Sequence, residues 1–121
     1  MFADGTVVAT VAVKDIEAGK KFYGETLGLT QSDENPGGVT YTSGGAKLFV
    51  YAAPSAGTGQ ATCASWKVSD FDATLADLKS KGITFENYDM PNMTDGVMTM
   101  GDMKAAWFKD PDGNVLCVAN S

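Results

Sequence analysis

The chain has 121 residues, 44% of them hydrophobic, enough for one compact domain that buries about two thirds of the surface its unfolded form exposes. Its formal net charge is -6, every basic residue is a lysine, and histidine is missing altogether. This composition argues against nucleic acid as a partner, excludes guanidinium recognition of phosphates and carboxylates, and removes the commonest metal ligand.

Met1-Phe2-Ala3-Asp4-Gly5 has no basic region of the secretory type, and the longest apolar run, 7–13, is too short to span a bilayer. A cytoplasmic protein without membrane contact is expected, with Cys63 and Cys117 as reduced thiols. An acidic surface keeps the chain in solution, or draws a cationic ligand.

Taken in order, residues 7–13 read as a strand, and Asp15 is placed to cap a helix carrying Ile16, Gly19, Phe22, Tyr23 and Leu27 at helical spacing. Gly28 ends that helix. A polar turn over 32–38 leads to a strand near 39–42, and Ser43-Gly44-Gly45 turns the chain into another over 47–52. If the residues after Leu29 form a short strand, the order is βαβββ. A linker-like segment follows at 54–60.

The pattern then repeats. Val13-Lys14-Asp15-Ile16-Glu17-Ala18 is answered by Val68-Ser69-Asp70-Phe71-Asp72-Ala73, and Gly28-Leu29-Thr30 by Gly82-Ile83-Thr84. An offset of about 55 residues describes a duplicated unit rather than a solenoid. The second helix presents Phe71, Leu75 and Leu78 as an apolar stripe, with Asp70 or Ser69 as its cap. Met90, Met93, Met98, Met100 and Met103 follow, five of the six methionines. Trp107-Phe108-Lys109-Asp110-Pro111-Asp112-Gly113-Asn114-Val115-Leu116-Cys117-Val118 closes the unit as a hairpin.

Two βαβββ units, the Val-x-Asp entry to each helix, Phe22-Tyr23 followed by Leu27-Gly28-Leu29, and the Asp-Pro-Asp-Gly-Asn hairpin cover nearly the whole chain. Together they resemble the vicinal oxygen chelate superfamily of glyoxalases, bleomycin-resistance proteins, extradiol dioxygenases and fosfomycin-resistance enzymes. The resemblance implies an α+β fold over residues 1–121: a first βαβββ module at 1–53, a linker at 54–60, and a second at 61–121. It also implies a U-shaped cleft between the modules, with helices on the outer faces.

The resemblance maps the family's metal-ligand positions onto Val8, Cys63, Cys117 and a place near Val50. Two aliphatic side chains and two thiols do not supply the three or four donors of a Lewis-acid site, so neither metal nor cofactor is expected. The cysteines read either as small apolar fillers on facing strands or as a soft-metal or redox pair. If they face the cleft, alternation puts Thr10, Ser65 and Trp107 there too, with Trp66 and Phe108 turned to the helices. Trp107 then either stacks on a ligand, as the resemblance implies, or packs at the sheet edge. Met98 and Met100 form either an adaptable wall or core filling.

The expected function is sequestration, without metal, of a partly apolar, cationic or aromatic small molecule in the cleft, in the manner of the bleomycin-resistance branch. Val8, Thr10, Leu48, Val50, Cys63, Ser65, Met98, Met100, Trp107 and Cys117 are the candidate ligand-binding residues, Asp95 and Asp102 could attract a cation at the rim, and no catalytic residue is assigned. The alternative is a glyoxalase-like or dioxygenase-like enzyme with an unusual ligand set, such as both thiols with a carboxylate from 89–102. A third reading is a regulatory or accessory protein. Homodimers are common in the family, and the linker would permit exchanged modules, so a homodimer is the expected assembly.

Overall fold

A computed structural model describes residues 1–120. The chain is α+β and divides into two compact units, Met1–Ala56 and Gly57–Ser121. No helix among the described residues is long and apolar enough to cross a membrane.

In the first unit a short 3-10 turn, Phe2–Asp4, precedes β1 (Ala9–Val13), α1 (Ile16–Lys20), a π-helical turn (Lys21–Thr26), β2 (Thr30–Asn35), β3 (Gly38–Ser43) and β4 (Ala46–Ala52). Asp15 caps α1, its carboxylate accepting the Glu17 N–H at 3.2 Å. The helical pattern does not continue as a regular α-helix to Leu27. The Leu27 N–H bonds five residues back to the Phe22 carbonyl, and the widened turn buries the neighbouring rings of Phe22 and Tyr23 edge to face. Gly19 lets this helix approach the sheet, since a Cβ there would lie 3.1 Å from a Val13 methyl.

The sheet order is β1-β4-β3-β2, with β1 parallel to β4 and the other pairs antiparallel. The expected polar turn over 32–38 is shorter than the sequence implies. β2 runs on to Asn35 although all six of its residues are exposed, because pairing with β3 rather than apolar alternation holds it.

The Gly44-Gly45 turn fixes the next register. Both residues have positive φ, 55° and 83°, which suits a tight hairpin and sets Tyr41 opposite Leu48 and Val39 opposite Val50. Val11, Val13, Tyr23, Val39, Tyr41, Leu48 and Val50 form the core between sheet and helix.

The second unit contains β5 (Thr62–Lys67), α2 (Phe71–Ser80), β6 (Met93–Thr94), β7 (Val97–Met100), β8 (Met103–Lys109) and β9 (Val115–Ala119), in the order β5-β9-β8-β7-β6. The first strand again runs parallel to the last, so the duplicated sequence gives duplicated topology, with the two-residue β6 as an addition. Asp70 caps α2, accepting from the Ala73 N–H at 3.1 Å. Phe71, Leu75 and Leu78 pack inward with Ala106, Phe108, Leu116 and Val118 as core, and Phe85 meets Phe108 edge to face.

Asp110 organises the β8–β9 hairpin. Its buried carboxylate accepts the N–H groups of Asp112 and Asn114 at 3.0 and 2.9 Å and the Asn114 side-chain amide at 2.7 Å. The Asn114 side-chain Oδ1 in turn accepts the Gly57 N–H at 3.3 Å, tying the segment before β5 to the hairpin.

Candidate functional site

Each sheet has one face against its helix and one turned away from it, and strand register sorts the side chains between them. In the first unit a row on the far face runs Thr10, Phe49, Thr40, Asp33 across all four strands. With Val8 and Lys47 these residues line a hollow of about 370 Å³. Its floor is the Phe49 ring, stacked on Tyr51 at 6.2 Å, and its walls carry two hydroxyls, a carboxylate and an ammonium.

Two candidate residues are corrected here. Leu48 and Val50 are 3% and 0% exposed and face the helix. The Gly44-Gly45 turn pairs them with the buried Tyr41 and Val39, so Phe49 and Lys47 occupy the opposite face instead. Alternation within β4 reads plausibly either way, because both of its faces carry apolar side chains; only the turn register decides. Val8 and Thr10 do line the hollow, Thr10 donating its hydroxyl to the Val8 carbonyl at 3.1 Å.

In the second unit Ser65, Cys117 and Trp107 form one row, with Thr62, Val115 and Lys109 beside it. On the other side lies a row of Lys67, Ala119, Ala105, Met98 and Met93. The helix-side assignment of the alternate residues is independent of this count, since Lys104 reaches Asp72 of α2 at 4.0 Å. Trp107 donates its indole N–H to the Thr62 hydroxyl at 3.1 Å, and Tyr88 meets its ring edge to face at 5.9 Å. Next to them Gly57, Thr58, Gly59, Gln60, Tyr88, Lys109, Gly113 and Val115 line a cavity of about 410 Å³. Lys109 pairs with Glu86 at 3.4 Å on its rim.

Tyr88, Lys109, Phe49, Asp33 and segment 57–60 were not among the sequence candidates. The residues of the 57–60 segment carry no periodic pattern, and Tyr88 reaches Trp107 only through the irregular run after α2, where the Glu86 N–H bonds the Trp107 carbonyl at 2.8 Å.

The two thiols do not meet as facing residues. A bulge between Thr62 and Ala64 makes Cys63 the extra residue of β5, so the register partner of Cys117 is Ser65. Cys63 instead lies 3.5 Å from the Val115 carbonyl, and both cysteines are free. Burial raises the Cys63 thiol pKa above its ordinary value, and the charge of Asp110 adds to this. Burial likewise raises Cys117, opposed by a hydrogen bond with Ser65.

These positions do not fit the divalent cation that a chelate site would hold. Val8 has no lone pair, Val50 is in the core, Cys63 is displaced by the bulge, and the thiols resist the ionisation that ligation needs. Among the described residues no three His, Cys, Asp or Glu side chains are grouped to hold a metal ion.

Comparison with known proteins agrees with the topology. No curated protein sequence matches the chain significantly. Among solved structures, UcmS2 superposes with a TM-score of 0.77 at 18% identity, covering 97% of this chain and 98% of the other. A glyoxalase/bleomycin resistance protein/dioxygenase from Alicyclobacillus acidocaldarius gives 0.73 at 16% identity over 96% and 90%. TnmS3, an antibiotic binding protein from Streptomyces sp. CB03234, gives 0.70 at 25% identity over 98% and 96%. Residues 6–118 match the family model of the Glyoxalase/Bleomycin resistance protein/Dioxygenase superfamily. With that match spanning nearly all of a duplicated α+β topology, the chain belongs to the glyoxalase/bleomycin resistance protein/dioxygenase superfamily.

Proposed function

We propose that this chain binds and sequesters a small, partly apolar molecule with an aromatic or cationic group, without transforming it and without a resident divalent cation. The observation that carries this reading is the fixed indole of Trp107: its N–H is held by Thr62 and its ring is braced by Tyr88, beside a cavity of about 410 Å³. A cavity of that size suits a small organic molecule. Its lining is largely polar, from Thr58, Gln60, Lys109 and glycine backbone, with Tyr88 and Val115 as the apolar part and Trp107 reached through its contact with Tyr88. An indole fixed from its nitrogen edge presents its face to a planar or cationic partner at little further entropic cost. Ser65 and Thr62 supply hydroxyls beside it, and Met98 and Met100 an apolar margin on the same sheet face. The hollow holding Val8, Thr10, Asp33, Lys47 and Phe49 is a second aromatic-floored recess, in the first unit, with a carboxylate and an ammonium in its walls.

The family relation supports a binding role, since TnmS3 is itself described as an antibiotic binding protein. The mismatch between these side chains and a divalent ion favours binding over the lyase, isomerase or dioxygenase alternative. Calorimetric titration with bleomycin and a panel of amphipathic aromatic cations tests the proposal. Saturable heat that the Trp107→Ala variant loses is expected; absence of heat across the panel, or binding indifferent to Trp107, overturns it.

A further inference from the structure

The second unit carries a feature that the organic-ligand reading does not require. Five of the six methionines lie between residues 90 and 103, spaced Met-x-x-Met, Met-x-Met and Met-x-x-Met. Two tight turns convert this spacing into a cluster. Asp95 and Gly96, with φ 52° and 82°, close the β6–β7 hairpin and set Met93 directly opposite Met98. Gly101 and Asp102 close the β7–β8 hairpin and set Met100 directly opposite Met103. Met98 and Met100 are two residues apart on β7 and so share a face, as do Met103 and Ala105 on β8, with Ala105 opposite Met98. Four thioether side chains therefore stand on one face of three neighbouring strands.

This face is turned away from α2, because the alternate residue Lys104 is the one that reaches Asp72 of that helix. It is accessible: Met100 is 54% exposed and Met93, Met98 and Met103 are half-buried. The hairpin carrying it is anchored, since the Gly96 N–H bonds the Asn87 side chain at 3.2 Å and the Thr99 N–H bonds the Asn92 carbonyl at 3.0 Å.

We propose that Met93, Met98, Met100 and Met103 form a binding site for a soft monovalent cation, Cu(I) or Ag(I). Thioether sulfur is a neutral, polarisable donor that selects soft ions over zinc, magnesium or calcium. Directly opposed strand residues have Cβ atoms about 5 Å apart, and a methionine has three rotatable bonds. The sulfurs of Met98 and Met100 can therefore share one ion with that of Met93 or of Met103, the fourth thioether standing next to the ion as an exchanging ligand. Asp95 and Asp102, in the two turns that create the cluster, place negative charge beside a site whose ligands have none. A leucine or isoleucine patch would offer the same apolar area without a lone pair. No methionine lines the cavity beside Trp107, so loss of cation binding in the methionine variants and loss of organic-ligand binding in Trp107→Ala are separate outcomes, although Met98 and Met100 lie on the same sheet face as Trp107.

The thioether assignment has a signature that a thiolate site lacks. Methionine has no proton to lose, so affinity stays constant as pH falls, whereas ions held by Cys63 and Cys117 must displace protons from thiols that burial already raises. The experiment is anaerobic Cu(I) titration of the full chain against a chromophoric Cu(I) chelator at about pH 5.5 and about pH 8, paired with Ag(I) titration followed by the methionine methyl resonances. One equivalent is expected to bind with the same affinity at both pH values, shifting the methyl signals of Met93, Met98, Met100 and Met103 but not those of Met1 and Met90. Met98→Leu and Met100→Leu, which keep volume and fold, are each expected to weaken binding about tenfold. Cys63→Ser is expected to leave it unchanged. Affinity that collapses at the lower pH, methyl signals that stay in place at saturating Ag(I), or loss of binding in Cys63→Ser overturns the proposal.

Discussion

Trp107 on β8 and Thr62 on β5 are joined by an indole N–H to hydroxyl hydrogen bond of 3.1 Å that spans the intervening strand β9. The bond orients the indole rather than holding the sheet together, since both strands already pair with β9 through their backbones. Thr62→Val keeps the shape of the side chain and removes the acceptor. It is expected to cost about 1 kcal/mol of stability or less, the net worth of a partly exposed hydrogen bond, and to weaken ligand binding several-fold by freeing the ring. Thermal unfolding and calorimetric titration of the variant measure the two effects separately.

The corrected face of β4 gives a paired test. Leu48→Ala empties a core site between sheet and helix, and is expected to cost about 2–5 kcal/mol in denaturant unfolding. Phe49→Ala removes a ring from the floor of the first hollow and is expected to cost distinctly less. Equal losses at the two positions would return Leu48 to the far face.

Most of the fold is legible in the sequence because local and long-range signals agree. Asp15 and Asp70 cap the helices they precede, and the Asp110-Pro111-Asp112-Gly113-Asn114 run makes its hairpin whatever surrounds it. The parts that escape are those settled by non-local register. Thr62 and Cys63 look interchangeable until the bulge in β5 aligns Thr62 with Val115 and leaves Cys63 unpaired. Leu48 and Phe49 compete for one face until Gly44 and Gly45 decide. β2 has no apolar alternation to announce it, and the π-helical turn at Lys21–Thr26 follows from burying two adjacent aromatics, which regular α-helical spacing does not anticipate.

The Asp110 carboxylate and Gly57 hold together the walls of the second cavity. Asp110→Ala leaves the N–H groups of Asp112 and Asn114 without their acceptor and is expected to cost about 2–3 kcal/mol, read from chemical denaturation. Gly57 has φ 74°, and a Cβ there would overlap the Asp112 carbonyl, so Gly57→Ala must displace segment 57–60 from the hairpin. Loss of ligand binding with β5, β8 and β9 still protected from hydrogen exchange is the expected result.

The thiols govern behaviour at alkaline pH. Cys63 and Cys117 are both raised by burial, so folding favours their protonated forms, and so does the burial of the Tyr41 phenol. Their contribution to stability is therefore complete below the ordinary thiol range and is lost as pH rises toward the higher folded values. The thermal midpoint is expected to fall above about pH 9, and alkylation by iodoacetamide to be slow at neutral pH. Fast labelling of Cys117 at pH 7 would contradict the burial that raises it.

The most direct measurement is the indole region of a proton–nitrogen correlation spectrum during titration with an amphipathic aromatic cation that binds. The chain has two tryptophans, one on each face of the second sheet, so each reports its own side. The account predicts a saturable shift of the Trp107 indole signal while that of Trp66 stays in place. A ligand that binds and leaves Trp107 unmoved, or moves only Trp66, contradicts it.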